Sequence, residues 1–94
     1  MKFENVTVGI KSFYRPKKLE ECLTSIENSK FQFGKIIVAD DGKISEEKRE
    51  IYEKYQDSLP LEVLNLPFDY GIGGSRNKIV EKHDNDFLLI MDDD

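Results

Sequence analysis

One stretch decides the fold of this chain: Lys35-Ile36-Ile37-Val38-Ala39-Asp40-Asp41-Gly42. Its apolar residues follow one another without a polar interruption, which is typical of a strand buried on both faces of a parallel sheet. The strand stops at two carboxylates and a glycine, a combination that favours a turn. Similar runs at 6–10, 61–66 and 86–91 predict three more strands of the same kind.

The segments between these runs have the spacing of helices. Pro16 suits a first helical turn, Ser45 suits a helix cap, and 75–82 predicts a third helix. The charged run at 46–50 is predicted to be an outer helix face. The residues predicted to face the core are Leu19, Cys22, Leu23 and Ile26 in the first helix, Ile44, Ile51, Tyr52, Tyr55 and Leu59 in the second, and Ile79 and Val80 in the third.

The order β-α-β-α-β-α-β predicts an α/β fold, a Rossmann-like doubly wound parallel sheet with strand order 3-2-1-4 and three helices. The 94 residues allow a single domain. Right-handed crossovers would place the first two helices on one face of the sheet and the third on the other. Because the winding direction reverses between strands 1 and 4, we expect a ligand crevice at their carboxyl ends.

Composition narrows the choice of partners and location. The formal net charge is −5, which argues against nucleic acid as a partner. Cys22 is the single cysteine, which excludes an internal disulfide and a cysteine-based zinc site. No apolar run approaches the roughly 20 residues of a transmembrane helix, and the first residues lack the apolar core of a secretory signal. We therefore expect a cytoplasmic protein without a transmembrane segment.

Acidic residues gather where two of the predicted strands end. Asp40 and Asp41 follow the second strand, and Asp92, Asp93 and Asp94 follow the fourth. With the first strand between them, the two groups should lie roughly 10 Å apart, the span of a nucleoside diphosphate. Oxygen-only ligands select hard cations, so the triplet predicts a Mg²⁺ or Mn²⁺ site. The alternatives are a solvated acidic tail and an ordinary Asp-Gly turn.

Arg76 follows a glycine-rich loop at 67–74 and is expected in the first turn of the third helix. The helix dipole disfavours a cation there, so the arginine suggests a nearby anion or nucleobase. Gly71 and the other loop glycines would allow close backbone approach to a ligand. The loop lacks the Gly-Lys-Ser/Thr ending of a P-loop, and no glycine motif follows the first strand as in a dinucleotide-binding fingerprint.

Four motifs in this order resemble glycosyltransferase family 2. They are Val6-Thr7-Val8 with the Phe13-Tyr14-Arg15-Pro16 turn, Ile37-Val38-Ala39-Asp40-Asp41-Gly42, Tyr70-Gly71 leading to Ser75-Arg76-Asn77, and Leu89-Ile90-Met91-Asp92-Asp93-Asp94. The resemblance covers essentially the whole chain, and 66–77 with the Asp triplet looks most like the β-1,4-N-acetylgalactosaminyltransferase branch. It implies a GT-A fold, a UDP-sugar or other nucleotide-sugar donor, a divalent metal and inversion at the anomeric carbon.

The resemblance also implies roles for individual residues. Asp41 would bind the uracil edge, Arg76 would contact the base or the diphosphate, and Asp92 or Asp93 would hold the ribose. Asp94, with Asp92, would coordinate the metal. Lys11, Arg15, Asp40 and Gly71 complete the predicted nucleotide-sugar site, with Lys11 departing from the family pattern and able to face phosphate.

The family's acceptor-binding strands and general base would lie downstream of the Asp triplet. We therefore expect a donor-binding part of a longer enzyme that does not turn its donor over efficiently by itself. The acceptor, a glycan, lipid or protein, is not specified by the sequence. The fourth strand would be an apolar sheet edge, which predicts a homodimer or aggregation through 86–91.

Other classes of protein share parts of this pattern. A flavodoxin-like receiver domain would place its acidic pair after the first strand, and a sugar nucleotidyltransferase would place a glycine-rich, arginine-containing loop there. Here the first strand ends in Lys11-Ser12. A non-catalytic assembly module with flavodoxin-like topology is the remaining alternative.

Overall fold

The computed structural model describes residues 2–13 and 15–92. Its four strands are β1 (Lys2–Ser12), β2 (Gln32–Asp40), β3 (Leu61–Asn65) and β4 (Phe87–Asp92), and its three helices are α1 (Pro16–Asn28), α2 (Glu46–Gln56) and α3 (Ile72–Lys82). The strands form one sheet in the order β3-β2-β1-β4, and every pair of neighbours is parallel. The predicted fold class and strand order are confirmed. A flavodoxin-like sheet would place β3 beside β1, so that topology is excluded for this sheet.

Two separate cores cover the two faces of the sheet. Val8, Ile10, Ile36 and Val38 pack with α1 and α2 on one face. Ile37 and Ala39 pack with α3 on the other. Successive residues of a strand point to opposite faces, so the uninterrupted apolar run of β2 supplies both cores. The predicted placement of the helices is confirmed.

The first two helices begin where the sequence predicts. Pro16 is the first residue of α1, and Leu19, Leu23 and Ile26 form its buried stripe. Ser45 caps α2, its side chain accepting a hydrogen bond from the Lys48 amide at 3.2 Å. The parallel strands and these caps place the starts of the helices near the carboxyl ends of the strands.

The third helix begins at Ile72, three residues before the predicted start at Ser75. Its N-cap, Gly71, has φ 97° and ψ 156°, a backbone region that is essentially restricted to glycine. Gly74 lies inside the first turn, where a Cβ would meet the Tyr70 ring at 2.7 Å. Gly73 and Gly74, which read as loop in the sequence, are therefore helical, and the missing side chain of Gly74 lets the helix start approach Tyr70.

Two further differences concern burial and strand length. Ile79 is buried as predicted, but Val80 is 50% exposed, so the prediction of a buried Val80 was wrong. Strand β1 begins at Lys2 instead of Val6, because Lys2 and Phe3 pair with Gln32 and Phe33 of β2. Pairing with a neighbour extends both strands beyond their apolar runs. No helix in the described ranges is long and apolar enough to cross a membrane.

Candidate functional site

The predicted site residues divide between the two faces of the sheet. Lys11 of β1 is paired with Ala39 of β2 on one side and with Asp92 of β4 on the other. Because paired residues of parallel neighbours share a face, Lys11, Asp92 and Ala39 lie on the α3 face. Asp41 is two residues beyond Ala39 and shares that face.

Asp41 is a buried polar group at this end of the sheet. Its side chain is 1% exposed. The Gly71 amide donates to its Oδ2 at 2.9 Å, and Lys11 Nζ lies 2.9 Å from its Oδ1. Lys11 is thus the ion-pair partner of Oδ1, and no backbone amide or hydroxyl in the described part of the chain donates a hydrogen bond to that oxygen.

Two opposing effects act on the pKa of Asp41. Burial raises it, whereas the Lys11 side chain and the Gly71 amide lower it, and the net pKa lies below the ordinary value. The carboxylate is therefore ionised at neutral pH. A buried, ionised oxygen whose partner is a single lysine has a further lone pair that is suited to accept a hydrogen bond from a ligand.

The loop from β3 to α3 is fastened to the end of β2. The Leu66 amide donates to the Asp40 carbonyl and the Asp69 amide to the Asp41 carbonyl, each at 2.8 Å. With the Gly71 bond, these contacts place the start of α3 directly beside Asp41. Gly71 and Asp41, which the sequence analysis names as site residues, therefore lie together.

Arg76 and Asp92 lie together on the other side of Lys11. Arg76 Nη2 is 3.4 Å from Asp92 Oδ2, and both side chains are 45% exposed. Since α3 starts at Ile72, Arg76 is its fifth residue, and the predicted position in the first helical turn was wrong. The dipole argument for Arg76 therefore fails, although the residue does reach the crevice at β4.

Asp40 has a different environment from Asp41. It is fully buried on the α1 and α2 face. Tyr52 donates its hydroxyl to Oδ2 at 2.5 Å, Lys48 Nζ lies 3.0 Å from Oδ2, and the Gly42 amide donates to Oδ1 at 2.8 Å. Both oxygens are used inside the protein, so we assign Asp40 to the framework of the site and not to the contact with a ligand.

Two aromatic residues were missed as part of this site. Lys11 Nζ lies 4.8 Å from the centre of the Phe13 ring, and the Phe13 and Phe68 rings are tilted against each other with centres 5.6 Å apart. Phe13 follows β1 and Phe68 follows β3. Their position just after strand ends was the available signal. Arg15 is the N-cap of α1, and it is exposed at the same edge of the sheet.

Lys48 was also misplaced by the sequence pattern. It was predicted on an outer helix face, but its side chain is 2% exposed. Position 48 precedes the buried Ile51 and Tyr52 by three and four residues, which places it in the same helical stripe. That spacing was the signal for its burial.

The predicted metal site is only partly described. Asp92 is at the crevice, while Asp93 and Asp94 lie outside the described residues. Within 2–13 and 15–92, no group of three or more His, Cys, Asp or Glu side chains is arranged to hold a metal ion. Asp92 is a carboxylate, the ligand type that a hard divalent cation prefers, and the metal site stays a prediction.

Several known proteins are similar to this chain. AmsE, an amylovoran biosynthesis glycosyltransferase of Erwinia amylovora, is 26% identical over 96% of this chain and 34% of its own length. A Campylobacter jejuni enzyme named GalNAc(5)-diNAcBac-PP-undecaprenol beta-1,3-glucosyltransferase is 28% identical over 95% of this chain and 29% of its own length. Mouse beta-1,4 N-acetylgalactosaminyltransferase 2 is 35% identical over 95% of this chain and 16% of its own length. The chain therefore spans about a third or less of the length of these relatives.

Solved structures show the same likeness in three dimensions. S. aureus TarS 1-349 in complex with UDP-GlcNAc has a TM-score of 0.75 and 28% identity, over 94% of this chain and 26% of that one. The family described as Glycosyl transferase family 2 matches residues 7–94, which include Lys11, Asp41, Arg76 and Asp92. The chain belongs to glycosyltransferase family 2.

Proposed function

We propose that this chain forms the donor-binding part of a glycosyltransferase and that it binds a UDP-sugar across the carboxyl ends of β2, β1 and β4. The observation that carries the proposal is Asp41 Oδ1, which is buried and ionised, is paired with Lys11, and receives no hydrogen bond from an amide or hydroxyl of the described residues. The imide N3–H of uracil is a donor of the right kind for this oxygen. Lys11, next to it, can donate to a carbonyl oxygen of the same base edge.

The rest of the donor follows from the order of the strands. A uracil at Asp41 places the ribose and diphosphate beyond Lys11, toward Asp92 and Arg76. Arg76 carries the guanidinium suited to a phosphate or base contact, and Asp92 or Asp93 would accept hydrogen bonds from ribose hydroxyls. TarS, a structural neighbour, is in complex with UDP-GlcNAc, which supports this class of ligand.

A divalent cation is part of the proposal. Asp94, with Asp92, would hold Mg²⁺ or Mn²⁺ through carboxylate oxygens. When bound, the ion would neutralise charge on the diphosphate leaving group. Asp41 and Lys11 bind the base end of the donor, so their contribution does not depend on the ion.

The relatives also suggest which sugar the donor carries and which reaction follows. TarS with UDP-GlcNAc and the mouse N-acetylgalactosaminyltransferase favour an N-acetylated hexosamine, in keeping with the β-1,4-N-acetylgalactosaminyltransferase branch. Transfer with inversion to an acceptor hydroxyl is the corresponding reaction. A titration series of UDP, UDP-GlcNAc, UDP-GalNAc and UDP-glucose would rank these sugars.

Calorimetric titration with UDP, with and without Mn²⁺, tests the proposal. Asp41→Asn replaces the ionised acceptor by a neutral amide, and we expect UDP affinity to fall by about tenfold or more, since hydrogen bonds to charged groups contribute about 1.5–3 kcal/mol. Asp94→Ala should remove only the part of the affinity that depends on Mn²⁺.

Asp57→Asn is the matched control. Asp57 is an exposed carboxylate at the C-cap of α2, at the opposite end of that helix from the carboxyl ends of the strands, and its loss should leave UDP binding unchanged. Absence of UDP binding by the parent chain, or equal affinity in the parent and Asp41→Asn, would contradict the proposal.

A further inference from the structure

Lys48 is a buried charge that the proposed site does not use. It belongs to α2, on the face of the sheet opposite to Asp41. Its Nζ lies 3.0 Å from Oδ2 and 3.1 Å from Oδ1 of Asp40, and it also donates a hydrogen bond to the Phe13 carbonyl. Tyr52 and the Gly42 amide complete the partners of Asp40.

Burying the Lys48–Asp40 ion pair costs free energy, so stability alone does not explain it. Removing a lysine and a carboxylate from water costs several kcal/mol per ion, and apolar replacements of such pairs are often neutral or stabilising. What the pair does that apolar residues could not do is bind two particular backbone groups. One is the Phe13 carbonyl, just after β1, and the other is the Gly42 amide, just after β2.

These two backbone groups belong to strand ends that pack against each other. A Cβ on Gly42 would overlap the Phe13 carbonyl, so the two segments meet without room for a side chain. The Asp41 amide donates to the Ser12 carbonyl at 3.3 Å in the same contact. The segments carry, toward the α3 face, the Phe13 ring beside Lys11 and the Asp41 carboxylate.

We propose that Lys48 is a positioning residue for nucleotide binding: from the far face of the sheet it fixes the separation of the Phe13 and Asp41 segments, and with it the shape of the base-binding end of the site. This inference rests on the proposed function. An error of about 1 Å in the position of a binding group is enough to lower affinity or rate strongly, which is why a residue that never contacts the ligand can control its binding.

The experiment must separate positioning from simple charge balance. Lys48→Met alone would leave the Asp40 carboxylate buried without its cation and could unfold the chain. The double variant Lys48→Met/Asp40→Asn removes both charges, keeps an acceptor for the Gly42 amide and leaves the Phe13 carbonyl without its lysine. Lys54→Met is the control, because Lys54 lies on the same helix and is 64% exposed in its pair with Glu20.

The expected result is a folded double variant, shown by an unchanged circular dichroism spectrum, whose dissociation constant for UDP rises by about tenfold or more. Lys54→Met should bind UDP as the parent does. UDP affinity equal to the parent in the double variant would overturn the inference and leave Lys48 as a charge partner only.

A second measurement stands apart from UDP binding. In the double variant the Asp41 amide should exchange its hydrogen with solvent about tenfold faster than in the parent, while amides of β3 keep their parent rates, because only the contact between the strand ends is loosened. An unchanged Asp41 rate would refute positioning by Lys48. Failure of the parent to bind UDP, together with faster Asp41 exchange in the double variant, would instead reject the proposed function and retain the positioning.

Discussion

Asp40 and Asp41 are adjacent in the sequence and identical in chemistry, yet their side chains lie on opposite faces of the sheet. Asp40 is held by Lys48 and Tyr52 under α2, and Asp41 is held by Lys11 and Gly71 under the start of α3. The alternation of side chains along a strand separates them. One carboxylate stabilises the framework, and the other keeps an oxygen for a ligand.

The lowered pKa of Asp41 predicts a dependence of stability on pH. Burial raises this pKa, but Lys11 and Gly71 lower it more, to below the ordinary value of 3.8. A group whose pKa is lower in the folded chain stabilises it above the unfolded pKa, and this contribution is lost as the pH falls through the folded pKa. The free energy of unfolding should therefore fall more steeply in the parent than in Asp41→Asn below about pH 3.8.

Urea unfolding at a series of pH values, followed by circular dichroism, measures this difference. The other carboxylates titrate in both proteins, so the difference between the two curves isolates residue 41. If the free energies of unfolding of the parent and of Asp41→Asn fell in parallel through the acid range, Lys11 and Gly71 would not hold the carboxylate in its ionised form.

At the scale of one element, the start of α3 depends on the backbone of Gly71. Gly71 has a positive φ of 97°, Gly73 is helical, and a Cβ on either residue would meet nothing within 4 Å. The two sites differ in backbone conformation and not in space. Gly71→Ala should therefore lower the free energy of unfolding by about 1–3 kcal/mol, whereas Gly73→Ala should raise it by about 0.4–1 kcal/mol.

Thermal or urea unfolding of Gly71→Ala and Gly73→Ala tests these two predictions. Because the Gly71 amide is bonded to Asp41, Gly71→Ala should also weaken UDP binding, and Gly73→Ala serves as its control for folding. Equal stability changes in the two variants would mean that the helix start does not require the positive φ.

At the scale of the whole molecule, one face of the edge strand β4 is uncovered. Phe87, Leu89 and Met91 alternate along it and are 61%, 51% and 37% exposed. They lie on the face that α1 and α2 cover elsewhere in the sheet. An exposed apolar edge of this kind pairs with other chains, so we expect this chain to self-associate through β4 as its concentration rises.

Light scattering over a concentration series measures the association. Leu89→Lys places a charge on the exposed face and should shift the chain toward the monomer. Val80→Lys is the matched control, since Val80 is 50% exposed on α3, which lies on the opposite face of the sheet from Leu89. A parent chain that stays monomeric at the highest concentration would disprove association through this strand.

The sequence by itself determined the strands, the helices, the strand order and the gathering of carboxylates at the strand ends. The strands and helices follow from local patterns, because an apolar run buried on two faces and a helical stripe each show within about a dozen residues. The strand order was expected from the alternation of strands and helices along the whole chain. The tertiary structure alone decided which aspartate faces the crevice, that Lys48 is buried, that Lys11 pairs with Asp41, and that α3 starts at Ile72. Each of these depends on which distant segment lies alongside, as Lys48 meets Phe13 across 35 positions of sequence, and no local pattern contains that contact.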